Sequence, residues 1–378
     1  MADKLNILHI TYNSNFDGGT RYIHDLSEQL VARGHKVTIA GRKTEWKSLF
    51  ENKNWEWLDL TVGGNIKELI STSRAIAKYV KRNKVDVIHT HYRKASIVAK
   101  LVQLQCRVPF IFTVHLTDLP MNGIWGWLTF WGNETHCPSE QAKTWVKDVA
   151  SVADERLHVI PHGIDPSEYP EATAEEQLEA RRELNLPLDK TIIGYVGRLG
   201  PVKNSQWLLK FAKHFAENGL PFHLVAIGEG TERELLETSI KEQQLEDYFT
   251  LLPFGSPKLV YYGSDLMILA SKREGFSLVC MEAMCSGRAV LRTNTAGCDE
   301  MIREGETGYV VPIDYEVFLS KLLEVASDLD ELKRLGKNAA ALVRSDLSQA
   351  VQVDKTENLY QYTVSKYGKS YGKSTRDE

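Results

Sequence analysis

Two glutamates, Glu274 and Glu282, stand with seven residues between them in the stretch Ser271 to Gly287, SKREGFSLVCMEAMCSG. Gly275, Phe276 and Ser277 make a turn that runs into an apolar helix from Leu278. A helix start offers free backbone N–H groups and the positive end of the helix dipole, so it favours an anion such as phosphate. Carboxylates flanking such a site are unsuited to phosphate and suited to accepting hydrogen bonds from hydroxyls, such as those of a ribose and a sugar. The segment points to a nucleotide-sugar site.

Gly197-Arg-Leu-Gly-Pro-Val-Lys-Asn204 places Arg198 and Lys203 five residues apart on one loop. Taken alone they read as surface charges. Beside the glutamate segment they suit the two phosphates of a diphosphate. Asp17-Gly18-Gly19-Thr20 is a phosphate-type turn, although it is not G-x-G-x-x-G, which argues against a dinucleotide fingerprint. Gly228 and Gly230 permit close approach of a ligand or are simple loop glycines. His115 ends a strand, where a lone histidine is more often structural. His89 and His91 share a strand face, but no third ligand with metal-site spacing accompanies them. Asp328 and Asp330 read as helix capping rather than a magnesium site. Trp125, Trp127, Phe130 and Trp131 are core packing, or a sugar-stacking or membrane-touching loop.

These groups need a scaffold that carries them on loops. Residues 1–165 alternate strand and helix: strands at 6–11, 36–40, 85–90, 110–115, 134–137 and 157–160, with helices at 19–33, 66–81 and 95–104 between them. Pro161 to Pro166 break the rhythm, a charged helix follows at 175–184, and alternation resumes over 166–346 with strands at 192–196, 223–227, 249–252, 266–269 and 289–292. This order predicts two doubly wound parallel α/β domains, each binding ligands at the carboxyl ends of its strands. If the domains face each other, both sets of ends line one interdomain cleft. The chain's 378 residues suit two domains.

The net charge of −4 divides unevenly. Residues 1–165 carry 21 Lys/Arg and 17 Asp/Glu, and the remainder 25 and 33. A basic first half hints at an anionic acceptor or surface. Arg74, Lys78, Lys81, Arg82 and Lys84 form a basic helix face, with Ile66, Leu69, Ile70, Ala77 and Val80 expected opposite. That face is ordinary solvated surface or a dock for anionic lipid headgroups. Five cysteines, an odd number without C-x-x-C, read as reduced structural thiols. With no signal peptide and no apolar run of spanning length, the expected location is cytoplasmic, peripheral at the inner face of the cell membrane if the basic helix docks. The acidic second half and the lack of a basic–aromatic motif argue against nucleic acid.

Taken together, the Gly18-Gly19 loop, His115, Arg198 to Asn204 and Glu274-Gly-Phe-Ser to Glu282 resemble the glycosyltransferase family 4 enzymes, the retaining group of GT-B fold. Pro161-His-Gly-Ile-Asp165 resembles the family's interdomain P-N-G-[IV]-D, with His162 in the asparagine place. The resemblance covers about residues 5–312. It implies two facing Rossmann-like domains: 1–165 for the acceptor, joined by a returning C-terminal helix at about 347–378, and 166–346 for the donor. It implies that Arg198 and Lys203 hold the donor diphosphate, that Glu274 holds hydroxyls of the transferred sugar, and that Glu282 binds the ribose. Backbone at Ser277 and Leu278 would bind phosphate, with Gly275, Phe276 and Gly228 completing the donor site. Gly18 and Gly19 would close on the donor, and His115 would lie near the reacting sugar. His91, Trp125 and Trp127 are the candidates on the acceptor side. The implied reaction moves a hexose or N-acetylhexosamine from a UDP- or GDP-sugar, UDP by preference, to a glycan or lipid-linked glycan, in synthesis of a bacterial-type surface polysaccharide or glycolipid. It requires no cofactor or metal. A UDP-sugar 2-epimerase of the same fold and a degenerate nucleotide-sugar-binding scaffold are the rival readings.

Overall fold

The computed structural model describes residues 3–12, 18–42, 54–115, 120–121 and 123–368, apart from the side chains of Ile124 and Trp125. The chain forms two compact units, one of residues 1–162 with 349–378 and one of residues 163–348.

The first unit holds seven strands: β1 Asn6–Thr11, β2 Lys36–Gly41, β3 Glu56–Asp59, β4 Val87–His91, β5 Phe110–Thr113, β6 Glu134–Cys137 and β7 Leu157–Val159. They pair in parallel in the order β3-β2-β1-β4-β5-β6-β7. Both faces are covered, so the strands read as apolar runs rather than as alternation. Leu8, Ile10, Ile88 and Phe110 pack with Ile76, Val80, Val98 and Val102 of helices Ile66–Asn83 and Arg93–Cys106. Ile7, Ile39 and Ile111 pack with Ile23 and Leu26 of helix Gly18–Ala32, and with Val353, Leu359 and Tyr360 of helix Gln349–Tyr367. That last helix is pinned to the first unit by charge as well: Arg33 pairs with Asp354 at 2.5 Å and Glu357 at 3.0 Å, and His35 meets Glu357 at 2.9 Å.

The second unit holds β8 Thr191–Val196, β9 Phe222–Ile227, β10 Phe249–Leu252, β11 Leu266–Leu269, β12 Ala289–Thr293 and β13 Gly308–Val311, all parallel in the order β10-β9-β8-β11-β12-β13. In each unit the strand order reverses at one place, between β1 and β4 and between β8 and β11. Crevices at such reversals are where doubly wound sheets bind ligands.

Two strands escape the sequence reading. β3 is four residues long and only partly buried, and β13 is a four-residue strand opened by Gly308 at φ +159°. β3, Glu-Trp-Leu-Asp, is charged at both ends, and β13, Gly-Tyr-Val-Val, keeps its middle two residues only partly buried, so neither reads as a buried apolar run. Helix Ile66–Asn83 buries Thr72, Ser73, Ile76, Ala77 and Val80 and keeps its five basic residues exposed. Ile66 and Ile70, expected on the buried face, are 74% and 38% exposed. Asp328 caps helix Leu329–Asp346 by accepting from the Glu331 N–H. All five cysteines are free and buried.

Candidate functional site

In the second unit the loops after β8 and β11 flank the strand-order reversal. The Arg198–Asn204 loop is tied down at both ends. Tyr195 donates its hydroxyl to the Arg198 carbonyl at 2.8 Å, and Asn204 donates its side-chain N–H to the Ala270 carbonyl at 2.7 Å. Lys272 N–H reaches the Val202 carbonyl at 2.8 Å, which joins the two loops directly. Glu274 is thereby brought against Lys203, whose Nζ lies 2.6 Å from the Glu274 Oε1, and Ser271 donates its hydroxyl to the same oxygen at 2.6 Å. A cation expected at phosphate and a carboxylate expected at sugar hydroxyls are therefore paired with each other. Arg198 is exposed and makes no ion pair among the described residues.

Ser277 caps helix Leu278–Cys285, accepting from the Cys280 N–H at 3.4 Å. The helix buries every residue from Cys280 to Cys285, so its start is fixed by packing, and the N–H groups of its first turn have no partner within the helix. Phe276 packs on Gly297, where a Cβ would lie 2.7 Å from the ring. Glu282, 4% exposed, accepts the Tyr261 hydroxyl at 2.6 Å. Tyr261, itself buried against Tyr169, is a residue that sequence reasoning missed, since nothing in its local pattern separates it from ordinary core. The closeness of Gly228 and Gly230 serves the fold: a Cβ would stand 1.8 Å from the Gly197 carbonyl or 2.0 Å from the Leu199 carbonyl. Arg292 lies fully buried on β12, with its guanidinium donating to Thr295 Oγ1 at 2.8 Å and the Ala296 carbonyl at 3.3 Å.

The first unit carries a cluster of histidines at the same end of its sheet. Register places His9 beside His89 on adjoining strands, with His91 two residues on, so all three share one face. His9 Nδ1 lies 3.0 Å from His91 Nε2, and His91 Nδ1 lies 3.1 Å from His115 Nε2. His89, Thr113 and His136 form a second thread that ends on the Ile160 carbonyl. Tyr22 sits over the group, its ring 4.6 Å from that of His162. Burial pushes all of these histidines toward the neutral form: His9 and His115 down to about 3, His136 to about 4, with its bond to the Ile160 carbonyl opposing, and His89, His91 and His162 well below the usual range. Tyr92, at φ +71°, stacks its ring 5.0 Å from His115. Few non-glycine residues take that conformation, and those that do cluster at functional sites.

The acceptor role expected for His91 does not fit: the residue is fully buried and both ring nitrogens are engaged by other histidines. His9 supplies the neighbour that sequence spacing did not, and ligating atoms of His9, His89 and His91 lie within 4.8 Å of one another. The sheet pairing, invisible in linear spacing, brings them together. The Trp-rich segment divides. Trp131 packs on Phe112 and Trp145 and Phe130 joins the core, while Trp127 is 86% exposed. The Trp125 side chain, Asp17 and residues 116–118 after His115 lie outside the described residues. Gly18 and Gly19 open helix Gly18–Ala32.

The family model described as Glycosyltransferase Family 4 matches residues 16–168, and that described as Glycosyl transferases group 1 matches residues 176–342. The chain belongs to the family 4 glycosyltransferases of GT-B fold. It is 26% identical to a D-inositol 3-phosphate glycosyltransferase of Corynebacterium glutamicum over 90% of each chain. It is 25% identical to the UDP-Gal:alpha-D-GlcNAc-diphosphoundecaprenol alpha-1,3-galactosyltransferase of Escherichia coli over 78% of this chain and 79% of that one. Among solved structures, a glycosyltransferase from Rickettsia africae superposes with a TM-score of 0.84 at 19% identity, over 96% of this chain and 99% of that one. HepE of Anabaena in complex with UDP gives 0.83 at 17% identity, over 95% and 100%. The chain is thus a transferase, and its chemistry is glycosyl transfer.

Proposed function

We propose that this glycosyltransferase moves a hexose or N-acetylhexosamine from a nucleoside-diphosphate sugar, UDP before GDP, to a glycan or lipid-linked glycan, with retention and with no metal cofactor. The observation that carries the reading is the Lys203–Glu274 pair at the strand-order reversal, beside the capped helix start at Ser277. An arriving diphosphate competes with Glu274 for Lys203. When Lys203 and Arg198 turn to the phosphates, Glu274 is released to accept hydroxyls of the sugar. Backbone N–H groups at Ser277 and Leu278 take a phosphate oxygen, and Glu282, oriented by Tyr261, accepts from the ribose.

Negative charge grows on the diphosphate as the glycosidic bond breaks, so cations already in place stabilise the transition state more than the ground state. In front-face attack the departing phosphate oxygen takes the acceptor proton while the acceptor oxygen bonds to the anomeric carbon on the same face. Glu274 and Glu282, engaged with Lys203 and Tyr261, are not arranged as the acid and nucleophile of a hydrolase. UDP as carrier is supported by the Escherichia coli relative, named for UDP-Gal, and by the UDP complex of HepE. The same relative acts on a diphosphoundecaprenol-linked sugar, which supports a lipid-linked acceptor.

The first unit offers a surface for such an acceptor. A groove of about 650 Å³ is lined by Ile66, Leu69, Ile97 and Leu128 with Lys67 and Lys94. Ile66, Ile70 and Trp127 are exposed, as is the basic face of helix Ile66–Asn83. Apolar residues with a basic fringe suit an anionic lipid surface, consistent with a peripheral position on the cytoplasmic face of a membrane. No helix among the described residues is long and apolar enough to cross one.

A thermal-shift panel of UDP- and GDP-sugars, followed by an acceptor screen with the best donor, tests the reading. Proton NMR of the product then reads the anomeric configuration. No stabilisation by any nucleotide sugar, or an inverted product, overturns it. Epimerised donor in the absence of acceptor would favour the 2-epimerase. Co-sedimentation with anionic vesicles at low salt tests the surface, and Ile66→Asp with Trp127→Ala is expected to abolish retention.

A further inference from the structure

The two histidine threads of the first unit differ in how their ends are closed. The second ends on the Ile160 carbonyl, which can only accept, so His136 carries its proton on Nε2 and accepts at Nδ1. His136 donates from Nε2 to Ile160 at 2.7 Å, and its Nδ1 faces two hydroxyls, Thr113 at 3.0 Å and Tyr22 at 3.2 Å. His89 is engaged at both nitrogens, Nε2 with the Thr113 hydroxyl at 2.5 Å and Nδ1 with the Tyr360 hydroxyl at 2.6 Å. A neutral imidazole has one donor and one acceptor, and His89 has spent both. The cluster of His9, His89 and His91 nitrogens is therefore closed to a metal ion unless these bonds break.

The first thread, His9–His91–His115, is open at both ends. His9 Nε2 is buried without a partner, and His115 is only partly buried, its Nδ1 unpaired among the described residues. The His9 and His91 ring centres are 5.3 Å apart with planes 19° from parallel, and those of His91 and His115 are 5.3 Å apart at 36°. With facing nitrogens about 3 Å apart, such separations place each pair of nitrogens close to the line joining the ring centres. That is the arrangement of in-line hydrogen bonds. Two proton orders satisfy the thread. In one, protons point inward and His9 Nε2 carries a buried N–H with no acceptor. In the other, His9 Nδ1–H donates to His91, His91 Nδ1–H donates to His115 Nε2, and the buried end is a bare lone pair. Orphaned buried N–H groups are rarer than under-used acceptors, so the outward order is favoured.

We propose that His91, held by His9, is a positioning residue for His115, keeping it neutral with Nε2 accepting and Nδ1–H presented to an oxygen of bound substrate. This rests on the reading of His115 as a residue of the glycosyl-transfer site. A neutral donor suits that place, because an imidazolium would oppose the positive charge that develops on the sugar. Tyr92 stacks on a face of the His115 ring.

The test is a long-range ¹H–¹⁵N correlation spectrum of the histidine rings in the full chain at pH 7.5. His115 is expected to be protonated at Nδ1 in the wild type. His91→Phe removes the donor to Nε2, and the Nδ1–H form should no longer be enforced. His91→Asn, whose side-chain N–H can stand near the position of Nδ1, should restore it. In steady-state kinetics His91→Phe is expected to lower kcat by about 10- to 100-fold with donor KM unchanged, and His91→Asn to recover most of the loss. An Nε2–H tautomer in the wild type overturns the proposal without any variant. So does an unaltered tautomer in folded His91→Phe, or one equivalent of zinc in the protein as purified. If no nucleotide sugar binds at all, the functional reading fails, whereas the tautomer is still read directly.

Discussion

Lowering the pH from 7.5 to 5.5 should destabilise the first unit far more than the second. His9, His89, His91, His136 and His162 are buried there, and burial, reinforced for all but His9 by repulsion from neighbouring histidines, depresses each. A histidine with a depressed folded value takes up its proton more readily when unfolded. Its contribution to stability is therefore present above the unfolded value, near 6.5, and is lost as pH falls from there toward the folded value. At pH 5.5, one unit below the unfolded value, each such group costs about 1.4 kcal/mol. Five of them cost about 7 kcal/mol, comparable with the ~5–15 kcal/mol that holds a whole domain together. For a unit of this size that lowers the melting temperature by about 15–25 °C. Glu357 does not confuse the result: burial raises it, Arg33 and His35 outweigh burial and hold it low, and its loss falls below the window. The second unit carries a single depressed histidine, His223, with burial as the main cause, so its shift should be several-fold smaller. Every tryptophan except Trp207 belongs to the first unit, so tryptophan fluorescence reports that unit against circular dichroism for the whole chain. A fluorescence transition at pH 5.5 within a few degrees of that at pH 7.5 would refute the neutral, buried histidine cluster.

The donor site yields further tests. Lys203→Ala should lower turnover by about 10²–10³, the loss expected when one group aimed at developing charge is removed. Stability should fall only by about 1–2 kcal/mol, because Ser271 still donates to Glu274. Arg198→Ala, at an exposed residue, should lower turnover with no change in melting; wild-type rates in either variant would remove these cations from the mechanism. Glu282→Ala should weaken nucleotide binding by calorimetry. Tyr261→Phe should reproduce part of that loss by leaving Glu282 short of a donor, and unchanged affinity in both would dismiss the ribose contact.

Much of the fold was legible because parallel strands buried on both faces must be apolar runs, and eleven of the thirteen can be read from the sequence as such runs between helices. β3 and β13 are too little buried to carry that signature. The motif residues of the second unit were legible for a related reason: Arg198, Lys203, Glu274 and Ser277 lie on loops that leave strand ends, so strand prediction puts those loops at carboxyl ends. Their pairing was not legible, since the Lys203–Glu274 contact depends on Asn204 and Lys272 tying together loops that follow non-consecutive strands. The histidines make the same point more sharply. His89 and His91 were visible as a same-face pair, and His115 as a strand-end residue, yet linear spacing says nothing of His9, some eighty residues earlier. Only the placement of β1 against β4 sets His9 beside them. Once it does, electrostatics changes what the group can be. Single histidines at strand ends titrate near neutrality, whereas several buried together repel one another's protons and stay neutral. A neutral thread can orient His115, and charged histidines packed this closely would destabilise the sheet that carries them. The chemistry suggested for His115 and the acid sensitivity of the first unit are thus consequences of one packing arrangement, and the spectrum and the melting curve test it from two sides.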